Sequence, residues 1–252
     1  MTYPGLQLQR SDDYLRITMD HGKVNAIDSI LAQSLRDVIM ATAEDDDIRG
    51  VLLAGRPGCF SAGLDFKHMA SSGLEEALKF WELYLGCLQA WIAYPRPAIA
   101  AITGYAPAGA TILALCCDHR VMGFGEKHRI GLHEFTIGLM VPQLMMDIYG
   151  YHLGDARAWK YVQEAKLMNS EEGAAVGLID QSVNIDDVLA IAESALKKQL
   201  QLPSHSYRIT KLYATRQLRE RADRSMEEML ADIATFVKDP MTQMMMQMLA
   251  SS

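Results

Sequence analysis

The sequence predicts a mixed α/β fold built around a parallel sheet, and three observations carry that reading. Two five-residue runs, Gly50-Val-Leu-Leu-Ala54 and Ala98-Ile-Ala-Ala-Ile102, are apolar at nearly every position, as strands covered on both faces are. Segments with apolar residues at helical spacing lie between and after them. Each run also leads to a turn of small residues, Phe60-Ser-Ala-Gly-Leu-Asp65 and Gly104-Tyr-Ala-Pro-Ala-Gly-Ala110. Strands and helices that alternate in this way build parallel sheets. Spacing alone leaves two arrangements open, a doubly wound sheet and a spiral of repeated ββα units.

The elements follow in order. Tyr14–Met19 alternates apolar and polar residues, as a half-buried strand does. Residues 26–44 carry Ile27, Ile30, Leu31, Leu35, Val38 and Ile39 at helical spacing, and the acidic cluster 44–47 then marks an exposed turn. After the first buried strand and its turn, residues 74–94 read as a helix stopped by Pro95 and Pro97. The second buried strand and its turn lead into a short apolar helix over 111–117, with its N-terminus at Ala108-Gly109-Ala110, and His119–Met122 reads as a further strand. Helices are expected over 141–149, 155–164 and 170–176, with a strand near 180–183. A strongly amphipathic helix over 186–200 is expected to be capped by Asp186 or Asp187. Beyond Pro203 there is only helix pattern to residue 249, interrupted near Asp239-Pro240. A soft boundary near 195–203 divides a core, 1–195, from a helical appendage, 196–252. The Met-rich end (Met241, Met244, Met245, Met246, Met248) reads as an adaptable packing or subunit surface and not as a metal site.

Composition removes several classes of function. Half of the 252 residues are hydrophobic and 22% are charged, in keeping with a globular chain that buries a core. A formal charge of −7 argues against wholesale nucleic-acid binding while leaving room for an anionic small ligand at a local basic cluster. The most apolar stretches, 97–117 and 137–146, are broken by Gly, Pro or polar residues, so no membrane span is expected. The first residues lack the basic and apolar regions of a signal peptide, and Leu-Ala-Ser-Ser at the end is not a peroxisomal address. Cys59, Cys87, Cys116 and Cys117 show no C-x-x-C spacing and read as reduced, mostly buried thiols of a cytoplasmic protein.

The chemistry concentrates around Glu134. It is the only carboxylate between Ile130 and Met146, and His133 is the only other titratable group there. A carboxylate in so apolar a run is a candidate base with a tuned pKa. It equally suits a helix cap, or a pair with a buried Arg120 or Arg129. The two small-residue turns are candidate anion sites. At a helix N-terminus the N–H of Gly109 has no internal partner, and an Ala62 N–H converging on the same point would complete an oxyanion hole. Each turn alone also fits a purely packing role. His133 reads as a structural or subunit-contact residue, pointing away from Glu134 on an extended segment.

Cys59-Phe-Ser-Ala-Gly-Leu-Asp65, Ala101-Ile-Thr-Gly-Tyr-Ala-Pro-Ala-Gly-Ala110, Cys117-Asp-His-Arg120 and Gly131-Leu-His-Glu-Phe-Thr-Ile-Gly138 together resemble the crotonase (enoyl-CoA hydratase/isomerase) superfamily. His21-Gly-Lys-Val-Asn-Ala26 and Ala174-Ala-Val-Gly-Leu-Ile-Asp180 extend the resemblance over nearly the whole chain, in the expected order. It implies a crotonase-like spiral of ββα units with a helical C-terminal trimerisation region, hence a homotrimer or a dimer of trimers. It implies an acyl-coenzyme A thioester as ligand, coenzyme A being part of the substrate and no cofactor or metal being bound permanently. The thioester oxygen would be held by the N–H groups of Ala62 and Gly109. Val24, Asn25, Ala26, Ala62, Gly63, Leu64, Asp65, Phe66 and Gly109 would contact the ligand. Lys23, Lys67, Arg56 and Lys211 are candidate partners for its phosphates.

One departure is informative about the reaction class. Hydratases that this chain resembles carry a catalytic Glu three residues after the oxyanion glycine and a second on the later segment. Here the first position is Ile112 and only Glu134 remains. A water to be activated then loses one acceptor and the pocket becomes drier, whereas one carboxylate suffices to move a proton between two carbons. The resemblance is therefore strongest to monofunctional Δ3,Δ2-enoyl-CoA isomerases of fatty acid oxidation, which have an aliphatic residue at the first position and Asn-Glu where this chain has His133-Glu134. Another crotonase reaction (hydration, thioester hydrolysis or decarboxylation) and a non-catalytic acyl-CoA-binding role remain the alternatives.

Overall fold

A computed structural model describes residues 2–251, with side chains described to residue 248. Nine strands are present among these residues: β1 (Leu6–Arg10), β2 (Tyr14–Met19), β3 (Gly50–Ala54), β4 (Gly58–Cys59), β5 (Ala98–Ile102), β6 (Gly104–Pro107), β7 (His119–Gly123), β8 (Ile130–Gly131) and β9 (Gln181–Val183). They form two sheets. The larger has the order β1-β2-β3-β5-β7-β9 and is parallel apart from the β1–β2 hairpin. The smaller, β4-β6-β8, is parallel throughout, and an isolated parallel bridge from Ile27 to Leu64 accompanies it.

The helices are α1 (Ser29–Glu44), α2 (Phe66–Ser71), α3 (Leu74–Ala93), α4 (Gly109–Leu115), α5 (Gln143–Leu153), α6 (Asp155–Gln163), α7 (Ser170–Val176), α8 (Val188–Leu200), α9 (Ser204–Ala214), α10 (Arg216–Ala222), α11 (Met226–Lys238) and α12 (Pro240–Ser251). The pairs β3–β4, β5–β6 and β7–β8 each place a long strand in one sheet and a short one in the other before a helix follows. That repetition is the spiral of ββα units, and it resolves the choice that spacing left open.

The sheet is sandwiched. On one face Leu52, Ala54, Ile99, Ala101 and Val121 meet Val188, Ala192, Leu196 and Leu200 of α8. On the other, Val51, Leu53, Ala98, Ala100 and Ile102 join a larger core with α1, α3 and α4, centred on Leu35, Trp91, Leu88 and Ile112. Strands buried on both faces require apolar residues at consecutive positions, which is why β3 and β5 were legible. Each fully buried Leu, Ile or Val here contributes roughly 1.5–3 kcal/mol.

Several boundaries shift for local reasons. Helix α1 starts at Ser29, not residue 26, because Ile27 is extended against Leu64 and Asp28 caps the helix by accepting from the Leu31 N–H. Residues 185–187 form a 3-10 turn ahead of α8, so Asp187 is already helical and neither expected aspartate cap forms. Helix α8 runs unbroken through residue 195 to Leu200, and Pro203 separates it from α9. Of the final four helices, α10 and α11 pack against α3 and α12 against α2, while α9 is held by Lys211, which donates to Asp118 and to the Arg96 carbonyl. Among the described residues no helix is long and apolar enough to cross a membrane.

Candidate functional site

The site is built from three turns that the short sheet brings together. The first follows β4. Gly63, at φ +88°, turns the chain so that a Cβ there would lie 3.0 Å from the Pro107 carbonyl and 3.7 Å from the Gly109 nitrogen. The second follows β6. Ala108 adopts φ +53° and ψ −125°, a conformation glycine favours, and it aims the first N–H of α4 out of the helix. At Gly109 a side chain would meet Leu64 Cδ2 at 2.5 Å and the Tyr84 hydroxyl at 3.0 Å. The third turn carries Glu134 at the start of the 3-10 segment Glu134–Ile137, just after β8.

The donor assignment needs a correction. The Ala62 N–H is not free: it donates to the Val24 carbonyl at 2.9 Å. The neighbouring N–H groups are also accounted for, Gly63 donating to Ser61 Oγ at 3.1 Å and Asp65 to the Ile27 carbonyl at 3.0 Å. Leu64 N–H and Gly109 N–H have no acceptor among the described residues. Buried backbone donors are nearly always paired, so two unpaired donors on turns in contact mark a place for an oxygen ligand. The Leu64–Gly109 pair replaces the expected Ala62–Gly109 pair.

Other expected contacts divide in the same way. Asn25 is fully buried at φ +50°, and its groups are consumed internally. Its Nδ2 donates to the carbonyls of Met19 (3.0 Å) and Phe60 (3.1 Å), its Oδ1 accepts from the His21 N–H (2.8 Å), and its carbonyl accepts from Ser61 (2.6 Å). Asn25 therefore does not reach a ligand, whereas Val24 is 41% exposed and Ala26 half-buried beside it. The Asp65 carboxylate caps α2 by accepting from the His68 N–H. Phe66 lines a narrow, wholly apolar pocket of about 20 Å³ with Met69, Trp81, Leu139, Phe236 and Met246 among others. Lys211 is removed from the candidate phosphate partners, since its ammonium is buried 2.7 Å from Asp118. Arg56 holds Asp20 and the Gly22 carbonyl, while Lys23 and Lys67 are exposed.

Glu134 is only 3% exposed, and neither carboxylate oxygen has a hydrogen-bond partner among the described residues. Arg120 is held by Asp180 and the Cys117 carbonyl, and Arg129 donates to the His128 carbonyl, so neither candidate arginine pairs with it. Burial pushes its pKa up to about 7, and the nearby N–H groups of Glu134 and His133 offset that only in part, without reaching hydrogen-bond geometry. The group is a carboxylate held half-protonated near neutrality. Two tyrosines feel its charge. Tyr84 donates to the Gly109 carbonyl at 2.8 Å, and the fully buried Tyr149 hydroxyl has no partner among the described residues. In both, burial is the first cause of a raised pKa.

His133 does not lie on an extended segment. It caps the 3-10 turn, its carbonyl accepting from Thr136, and burial lowers its ring pKa. Ile112 is fully buried in α4, one turn past Gly109. Among the described residues, no cluster of three or more His, Cys, Asp or Glu has metal-binding geometry. All four cysteines are free thiols.

Comparison with known proteins places this geometry. Residues 10–249 match the enoyl-CoA hydratase/isomerase family. The mouse protein "Enoyl-CoA delta isomerase 1, mitochondrial" is 34% identical over 76% of this chain, which spans 66% of that relative's length. A "Probable enoyl-CoA hydratase" of Mycobacterium tuberculosis is 33% identical over 69% of this chain and 67% of its own length. The crystal structure of human mitochondrial delta3-delta2-enoyl-CoA isomerase superposes with a TM-score of 0.93, covering 98% of this chain and 97% of that one at 24% identity, a likeness of fold. With a family match over nearly its whole length and a spiral fold to go with it, the chain belongs to the enoyl-CoA hydratase/isomerase family.

Proposed function

We propose that the protein is a Δ3,Δ2-enoyl-CoA isomerase with Glu134 as its single base. The observation that carries this reading is a buried carboxylate without hydrogen-bond partners among the described residues, on a segment bonded through Gly131 to the turn that presents the Gly109 N–H, with aliphatic Ile112 where a second carboxylate would stand.

In a Δ3-enoyl thioester the C2 protons lie between a carbonyl and a double bond and are acidic. Glu134 takes one of them, and the electron pair moves into a dienolate whose charge rests largely on the thioester oxygen. The Leu64 and Gly109 N–H groups face that oxygen, and each such donor lowers the barrier by roughly 3–4 kcal/mol. Glu134 then returns the proton to C4, leaving the double bond at C2–C3. A pKa near 7 suits a group that must accept a proton and then release it. The coenzyme A moiety passes Val24 and Ala26. The same reading includes a trimer assembled through the C-terminal helices and a cytoplasmic location.

A hydratase reading has one observation in its favour, the similarity to a probable hydratase. A substrate panel separates the two. Offered Δ3- and Δ2-enoyl thioesters, the protein is expected to isomerise the former and to hydrate crotonyl-CoA slowly or not at all. Fast hydration with no isomerisation would overturn the proposal. Thioester binding that is unaffected by Glu134→Gln, with no turnover of any substrate by the wild type, would mark a non-catalytic binder.

A further inference from the structure

Two fully buried hydroxyl side chains, Ser61 and Thr111, sit behind the donor pair, and neither is exposed to a ligand. Ser61 Oγ donates to the Asn25 carbonyl at 2.6 Å and accepts from the Gly63 N–H at 3.1 Å. Its own N–H donates to the Tyr105 carbonyl on β6 at 3.1 Å. Ser61 thus joins three segments: the loop before α1, the turn that presents Leu64, and the strand that leads to Gly109. Asn25, at φ +50°, is fixed in turn by the bonds described above, so the Ser61 acceptor cannot drift.

Thr111 plays the matching part in α4. Its Oγ1 donates to the Ala106 carbonyl at 2.7 Å and accepts from the Gly131 N–H at 2.8 Å. The Gly131 carbonyl accepts from the Ala108 N–H at 2.8 Å. Gly131 lies three residues before Glu134. One hydroxyl therefore bonds the helix whose first N–H is a donor to the strand that delivers the base. In an oxyanion site, misplacement by about 1 Å costs on the order of 10²-fold in rate, so the placement of these two turns is functionally significant.

We propose that Ser61 and Thr111 are positioning residues for the reaction, Ser61 setting the Leu64 donor and Thr111 setting Gly109 against Glu134. This rests on the isomerase reading above. Neither residue touches the reacting atoms. The prediction is that removing either hydroxyl lowers kcat by roughly 10–100-fold while KM changes little.

The test uses the full-length protein, with Thr111→Val, Thr111→Ser and Ser61→Ala. Besides kcat and KM on a Δ3-enoyl thioester, it reads the infrared carbonyl stretch of bound butyryl-CoA labelled with carbon-13 at the thioester carbonyl. This ligand does not react, and its stretch falls when N–H donors bind the oxygen. The wild type is expected to lower the frequency. Thr111→Val and Ser61→Ala should each shift it back towards the free value, and Thr111→Ser, which keeps the hydroxyl, should recover most of the shift and of kcat. If both hydroxyl-deleted variants keep the wild-type frequency and kcat, the proposal is wrong. If Thr111→Ser loses as much as Thr111→Val, the methyl group's packing is what matters and the proposal for Thr111 is also wrong. A wild type that binds butyryl-CoA with no shift overturns the donor pair itself and the positioning role with it, an outcome distinct from an intact shift that merely ignores the substitutions. Ser61 and Thr111 lie on separate segments, so a variant that fails to fold at one leaves the other to decide.

Discussion

Asp118 and Glu134 are two carboxylates, one nearly buried and one buried, and the protein treats them in opposite ways. Asp118 accepts from the Ala98 N–H at 2.9 Å, from Tyr207 at 3.2 Å and from the buried Lys211 ammonium at 2.7 Å. It fastens α9 to the edge of β5. Glu134 has no hydrogen-bond partner for either carboxylate oxygen among the described residues. Burial penalises charge at both sites, but partners offset the penalty at Asp118 and are withheld at Glu134. The Asp118 carboxylate holds α9 in place, whereas Glu134, bare in an apolar wall, is suited to trading protons at a cost in stability.

The largest effect that sharpens this contrast is on turnover. Glu134→Gln is expected to lower kcat/KM for a Δ3-enoyl thioester by about 10³–10⁴-fold while acyl-CoA affinity, read by calorimetry, stays within a few-fold. In the wild type, kcat/KM should rise with pH and level off above about 7, where the base is ionised. A flat profile between pH 5 and 8 would contradict the assignment.

Stability comes next, and the two sites should respond with opposite signs. Lys211→Met leaves Asp118 buried without its cation and is expected to cost about 3 kcal/mol in urea unfolding, with part regained when Asp118→Asn is added. At Glu134 the folded-state pKa lies above the ordinary 4.5, so ionisation works against folding. That penalty is absent below about pH 4.5 and grows as pH rises to about 7, reaching at most about 3 kcal/mol. Glu134→Gln should therefore raise the melting temperature at pH 8 and leave it nearly unchanged at pH 4.5. Equal effects at both pH values would show that Glu134 has a partner after all.

The smallest expected effect concerns the backbone that aims Gly109. Ala108→Gly relieves an Ala at φ +53° and should be neutral or stabilising by up to about 1 kcal/mol. A loss of 1 kcal/mol, the usual result of adding a glycine, would mean that the turn is not strained.

How much of this was legible in the sequence depends on how local the signal is. β3 and β5 showed as continuous apolar runs, and Ser170–Val176 and the 3.6-residue stripe of α8 also declared themselves. Glu134 stood out because an isolated charge in an apolar run is visible without any structure. The two-residue strands β4 and β8 carry no periodicity, so the small sheet that assembles the site was invisible. The error over Ala62 has the same origin. Four successive N–H groups in one turn look alike in sequence. Which one faces the ligand is decided by φ at Gly63 and by the Val24 carbonyl, 38 residues away. Asn25 was misread for a related reason: its partners Met19 and Phe60 are fixed by the tertiary fold, and only they show that no donor is left over.

The most direct test of the one-base account is the fate of the proton itself. A Δ3-enoyl thioester deuterated at C2 is taken through a single turnover in ordinary water, and the product is read by mass spectrometry and NMR for deuterium at C4. A lone buried Glu134 that takes the hydrogen from C2 and returns it to C4 predicts a substantial share of product with deuterium at C4, with that transfer lost in Glu134→Gln. Product with only solvent hydrogen at C4, or transfer that persists without the Glu134 carboxylate, would contradict it.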